Sequence, residues 1–240
     1  MSGLIGVIGW QVLSEGDPRR RLRVLMPMGI MLLLLTTGCT SVRGVFRGEP
    51  SPTRTRNTYQ WPGPLPAELR RVALLPLTSS EAVVRSGPTM SILASALMVE
   101  LDKLKRFELV AVTPSELRAW TGRASWQRMD ALPADLLERL QQHTDCDAVL
   151  FAELTHYHGY PPLVVGWDFA LVSIKDGRTL WAFDEVFDAM EPSVAAAARN
   201  FQSRHDALPR PLADARSILI SPSRFGRFTA HTSFATLPPR

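Results

Sequence analysis

A chain of 240 residues, 45% apolar and 21% charged, has the size and make-up of one globular domain with extensions, or of two small domains. Its pI near 9.5 invites a nucleic-acid reading. The charge is placed otherwise: Arg19, Arg20, Arg21 and Arg23 face only Glu15 and Asp17 in residues 1–38, and the rest of the chain holds 23 basic against 21 acidic groups. That near-neutral body gives no electrostatic ground for a phosphate-backbone partner, and two cysteines, Cys39 and Cys146, exclude a disulfide framework.

In chain order, the basic cluster Arg19–Arg23 precedes an apolar run from Val24 to Leu35, and Thr36-Thr37-Gly38-Cys39 follows. A basic region, a short apolar region and small residues before a cut describe a secretory signal. The run is too short for an ordinary spanning helix, which needs roughly 20 residues. Residues 1–18 lie upstream of the cluster, so translation beginning near Met26 or Met28 is an alternative to a long basic region. Leu35-Thr36-Thr37-Gly38-Cys39 resembles the lipobox of bacterial lipoproteins. The resemblance implies cleavage between Gly38 and Cys39 and lipid on the Cys39 thiol. It departs from the usual pattern at Thr36, where a leucine is customary; a plain signal peptide cut nearby and an uncleaved anchor are the alternatives. Thr40 is not the aspartate that retains enterobacterial lipoproteins at the inner membrane, so the resemblance implies the periplasmic face of the outer membrane.

Residues 39–66 are rich in Pro, Arg, Ser, Thr and Gly without apolar periodicity, and read as a lipidated flexible tether. Val72–Leu77 is a short apolar run closed at Pro76, a buried strand. Met90, Leu93, Ala94, Leu97, Met98, Leu101 and Leu104 recur at helical spacing. Phe107–Val112 is a second strand, and Thr113 caps a short helix over Ser115–Trp120 with Pro114 at its first position. A helix over about Ala134–His143 leads into a third strand, Asp147–Leu154. Leu163, Val165, Trp167, Phe169 and Leu171 alternate along one arm of a hairpin, Asp176-Gly177 supplies its turn, and Thr179–Phe187 returns. Glu191–Arg204 and Ser221–Ala235 complete a helical C-terminal extension over 191–240. The order predicts an α/β fold: a small mixed-sheet sandwich flanked by helices, over 67–190.

Three passages, "RRVALLPL", "FELVAVTPSEL" and "TDCDAVLFAEL" with "LVSIKDGRTLWAF", carry a resemblance to a group of envelope proteins. The group comprises the N-terminal domain of the Tol translocation protein, the curli secretion lipoprotein and the lipoprotein activators of penicillin-binding proteins. The resemblance spans about Arg70–Phe187 and implies architecture more than role.

The chain lacks the signatures of common chemistry. The loop after the first strand has no phosphate-cradling glycine pattern, and there is no G-x-S-x-G or H-E-x-x-H. His156 and His158 sit two apart in a strand and so share a face, which makes them a candidate metal pair. A third ligand is not evident, because Glu153 falls on the opposite face of a regular strand. Asp145 and Asp147 around Cys146 read as a helix end leading into a strand, and Cys146 as a buried thiol. The hairpin aromatics read as core, with an exposed partner-binding face as the alternative. The reading is a non-enzymatic, lipid-anchored envelope protein without catalytic residues or cofactor. It binds the membrane through lipid and an envelope protein through its domain, or forms a homo-oligomer. The rivals are a metal-dependent enzyme using His156 and His158 and a ring-forming secretion subunit.

Overall fold

A computed structural model describes residues 55–80, 87–205 and 217–240. The signal, Gly38, Cys39 and most of the tether lie outside them. Pro50–Arg240 forms one compact unit. Its described elements are β1 (Thr58–Gln60), β2 (Arg71–Leu74), β3 (Thr78–Ser79), α1 (Gly87–Leu104), β4 (Glu108–Ala111), α2 (Pro114–Thr121), α3 (Leu136–Thr144), β5 (Ala148–His158), β6 (Val164–Ser173), β7 (Thr179–Asp188), α4 (Pro192–His205), a 3-10 turn (Ser217–Leu219) and α5 (Pro222–Phe234).

The strands make one mixed sheet in the order β1-β7-β6-β5-β2-β4. The crossovers from β2 to β4 and from β4 to β5 leave these strands parallel, while the two hairpins β5-β6 and β6-β7 are antiparallel. This is the α/β sandwich that the sequence predicts. Pro76 interrupts the first strand, but the chain resumes as β3 along the same neighbour, β5. Thr58–Gln60, expected within the tether, is instead the outer strand beside β7. Three polar residues carry no apolar pattern, so only the partner strand's free edge defines them.

Helices cover the two faces unequally. On one face α1, α4 and α5 pack over the whole sheet through residues such as Leu93, Leu97, Phe201, Phe225, Phe228 and Phe234. On the other, α2, α3 and Trp126 cover only the parallel half, closing over Ala73, Leu75, Val149, Phe151 and Ala170. Local chemistry places the smaller helices. Thr113 accepts a hydrogen bond from the Glu116 amide while the Glu116 carboxylate accepts from the Thr113 amide, a reciprocal cap. Asp145 ends α3 in the left-handed region. Asp147 then accepts from the amides of Arg70 and Arg71 and binds the start of β2 to the start of β5.

The hairpin aromatics are core. Trp167, Phe169, Trp181, Phe183 and Phe187 are each at most 2% exposed, and they stack in a ladder capped by Phe234 and Phe228 of α5. Trp167 Nε1 donates to Thr229 Oγ1 at 2.9 Å inside that interface. The segment Arg224–Phe228, basic and aromatic by turns, therefore docks on its own sheet. α5 also meets α1 closely: a Cβ on Gly226 would fall 2.6 Å from Leu93 Cδ2. Beside that contact, buried Glu100 of α1 accepts from Lys103 Nζ (2.7 Å) and Arg227 Nε (3.1 Å) and faces His231 Nδ1 (3.4 Å). Burial alone pushes the Glu100 carboxyl up; contacts with His231, Lys103 and Arg227 more than offset it and hold the pKa down at about 2.

Candidate functional site: a carboxylate row on the open half of the sheet

Where α2 and α3 stop, no helix among the described residues covers the second face of β5, β6 and β7. The register sets Glu153 opposite Asp168, and Asp168 opposite Asp184, so three carboxylates stand in a row across three strands. Directly paired residues of antiparallel strands point to the same side, with Cβ atoms roughly 5 Å apart. Like charges at that spacing are unfavourable, and the protein answers with groups from the loop between α2 and α3. Arg128 binds Asp168 with two contacts, Nη2–Oδ2 at 2.9 Å and Nε–Oδ1 at 3.3 Å. Gln127 Nε2 donates to Glu153 Oε1 at 3.2 Å. Desolvation, then the neighbouring Asp168, push the carboxyls of both Glu153 and Asp184 above their ordinary values. The hydrogen bond with Asp168 in turn raises the pKa of the Arg128 guanidinium.

The histidine pair borders this row. His156 and His158 share a face, as their spacing requires: they pair with Gly166 and Val164 respectively. Glu153, however, is on that face too. A bulge between Leu154 and His156 shifts the register by one residue, which reverses the alternation beyond it. The sequence expectation that Glu153 points away from the histidines is thus corrected. The electrostatics agree, since His156 lies near enough to Asp184 to act on its carboxyl. His156 Nδ1 is 3.2 Å from Thr155 Oγ1, and His158 Nδ1 donates to the Pro162 carbonyl at 2.8 Å. Among the described residues, no three His, Cys, Asp or Glu side chains are grouped to hold a metal ion.

Cys146 is buried, and burial raises its thiol pKa above the ordinary value, the opposite of what a nucleophilic thiolate needs. Asp145 and Asp147 serve structure, as helix end and strand clamp. Sequence reasoning missed Asp168, Asp184 and Arg128. A signal for two of them was present: Asp168 and Asp184 are equidistant from Asp176 at the hairpin turn, and both fall in the alternation set opposite the aromatics. Arg128 sits in an irregular loop, and nothing local announces its partner.

No protein-family model matches the sequence, and no curated protein does. Among solved structures, the chain is similar to a PelC dodecamer from Paraburkholderia phytofirmans, with 15% identity over 77% of this chain and 98% of that one and a TM-score of 0.42. It is similar to lipoprotein GNA1162 from Neisseria meningitidis, with 14% identity over 56% and 96% and a TM-score of 0.40. A third is the LpoB C-terminal domain from Escherichia coli, with 12% identity over 49% and 82% and a TM-score of 0.32. These neighbours include lipoproteins of the group that the sequence resembles. At such scores the likeness is distant, and what this chain does must be read from its own residues.

Proposed function

We propose that this chain is a lipid-anchored cell-envelope protein whose α/β domain acts without catalysis, as a binding or assembly subunit for another envelope protein. The anchor is lipid on Cys39, added after the Arg19–Arg23 cluster and the Val24–Leu35 run have directed export, with cleavage between Gly38 and Cys39. Two or more acyl chains make such an anchor stable, at about 0.8 kcal/mol per buried methylene. The periplasmic face of the outer membrane is the proposed location.

The observation that carries the binding role is the open half of the sheet. Its aromatic side is packed into the core, and on its other side Asp168, Asp184 and Arg128 stand beside the exposed Val186 and Tyr59. A sheet face of charges beside exposed apolar side chains suits recognition of a complementary macromolecular surface better than enclosure of a small substrate.

Two experiments test this reading. Cells grown with labelled palmitate should mark the protein, and Cys39→Ala should abolish the label; label persisting in that variant refutes the anchor. A photo-crosslinking residue at Val186 should capture one specific envelope protein, or a second copy of this chain, and Asp184→Arg should abolish the product. A crosslink pattern indifferent to Asp184→Arg would count against the open face as the binding surface.

A further inference from the structure

At the end of the sheet where β2 and β4 begin, a pocket of about 710 Å³ opens beside the edge strand β4. Arg70, Lys105, Arg106 and Arg240 line it, with Met98, Phe107 and Leu109 forming an apolar wall. Two carboxylates also line it, and both are already engaged. Asp102 accepts from Lys105 Nζ at 2.8 Å, and Glu108 is 3.4 Å from Nε of Arg71. Arg106 donates to the carbonyls of Leu237 and Pro238, and Arg240 Nη2 donates to the Leu69 carbonyl at 2.6 Å. These bonds fix two guanidinium groups in place without neutralising them. Among the described residues no carboxylate forms an ion pair with Arg70, Arg106 or Arg240.

Three unneutralised guanidinium groups around one pocket exceed what a single carboxylate can use, since one arginine fork satisfies both of its oxygens. A phosphate offers more acceptor oxygens, and a planar fork of donors fits it. The volume far exceeds a bare phosphate, and the wall of Met98, Phe107 and Leu109 gives an attached organic part an apolar surface to rest on. We propose that this pocket binds a phosphate ester, with Arg70, Arg106 and Arg240 on the phosphate and Met98 and Leu109 against its substituent. The ester is either a soluble metabolite or the headgroup of a phospholipid, and the site is separate from the carboxylate row.

The test uses the full chain and two probes. sn-Glycerol 3-phosphate is titrated calorimetrically, and flotation is compared between vesicles of phosphatidylcholine alone and vesicles with one third phosphatidylglycerol. The basic N-terminal segment, with Arg19–Arg23, itself favours anionic vesicles but is the same in every variant, so the pocket's share is the part of the preference lost in the pocket variant. The expected result is saturable binding of the soluble ester, or preference for the phosphatidylglycerol vesicles; the first identifies a soluble ligand and the second a headgroup. Arg70→Gln with Arg240→Gln should weaken the binding at least tenfold, whereas Arg118→Gln with Arg199→Gln, which removes an equal charge at exposed positions elsewhere, should leave it unchanged. Thermal unfolding checks that the variants fold. Should the double variant not fold, phosphate-induced amide shifts in the wild-type chain decide, and they should centre on Phe107–Leu109. Absence of binding to both probes, equal loss in Arg118→Gln with Arg199→Gln, or shifts centred elsewhere would overturn the proposal.

Discussion

Gly166 of β6 lies directly across from His156 of β5, at the point where β5 bulges. A Cβ at Gly166 would come 2.9 Å from the His156 Cβ and 2.6 Å from Thr155 Oγ1. Both are closer than real side chains approach, so glycine is what lets the bulge close against the sheet. Gly166→Ala is therefore expected to lower stability by about 1–3 kcal/mol, the usual cost of overpacking a tight site. Urea unfolding measures it; a variant as stable as the wild type would show that the bulge relaxes freely.

The carboxylate row makes a prediction with a definite sign. Glu153 and Asp184 have raised carboxyl pKa values in the folded state, so the native state binds their protons more tightly than the unfolded chain. Stability then falls as pH rises from the unfolded values through the folded ones. Asp184→Asn removes one of the like charges and should raise the melting temperature at pH 7, with the gain vanishing at pH below 4. Arg128→Gln should destabilise by about 1 kcal/mol, since Arg128 is partly exposed. Its cost should shrink in the Asp184→Asn background, which a double-mutant cycle reads directly.

Glu100 titrates in the opposite sense. Its pKa of about 2 lies below the ordinary 4.5, so its contribution is complete above pH 4.5 and is lost as pH falls toward 2. At about 1.4 kcal/mol per pKa unit, the loss is on the order of 3 kcal/mol. Glu100→Gln should remove this part of the acid sensitivity while lowering stability at pH 7, where Arg227 and Lys103 lose their carboxylate. Denaturation midpoints between pH 2 and 7 check both effects.

The C-terminal helix should be indispensable to the sheet. Thr229→Val leaves the buried Trp167 indole N–H without its acceptor and is expected to cost about 1–3 kcal/mol. Ending the chain after His205 removes Phe225, Phe228 and Phe234 from the aromatic ladder. That truncation should abolish the cooperative thermal transition in circular dichroism; a truncated chain that still melts cooperatively would show that the sheet stands alone.

By itself, the sequence determined what short-range physics controls. Alternating apolar residues marked β6 and β7, the 3.6-residue period marked α1, and Thr113 with Pro114 marked the start of α2, because periodicity and capping act within a few residues. The Asp176-Gly177 turn fixed the hairpin for the same reason. What only the tertiary structure decided depends on contacts distant in sequence. β1 exists because β7 offers an edge. Arg128 meets Asp168 across 40 residues because a loop is folded over the sheet. The same limit hid Glu153 from the histidines: a bulge costs one residue of register and turns every later side chain over, and the Gly166 that permits it is on another strand. The aromatic residues read as core from the sequence, but the element that covers them did not, since it is α5, which lies some 40 residues further along the chain.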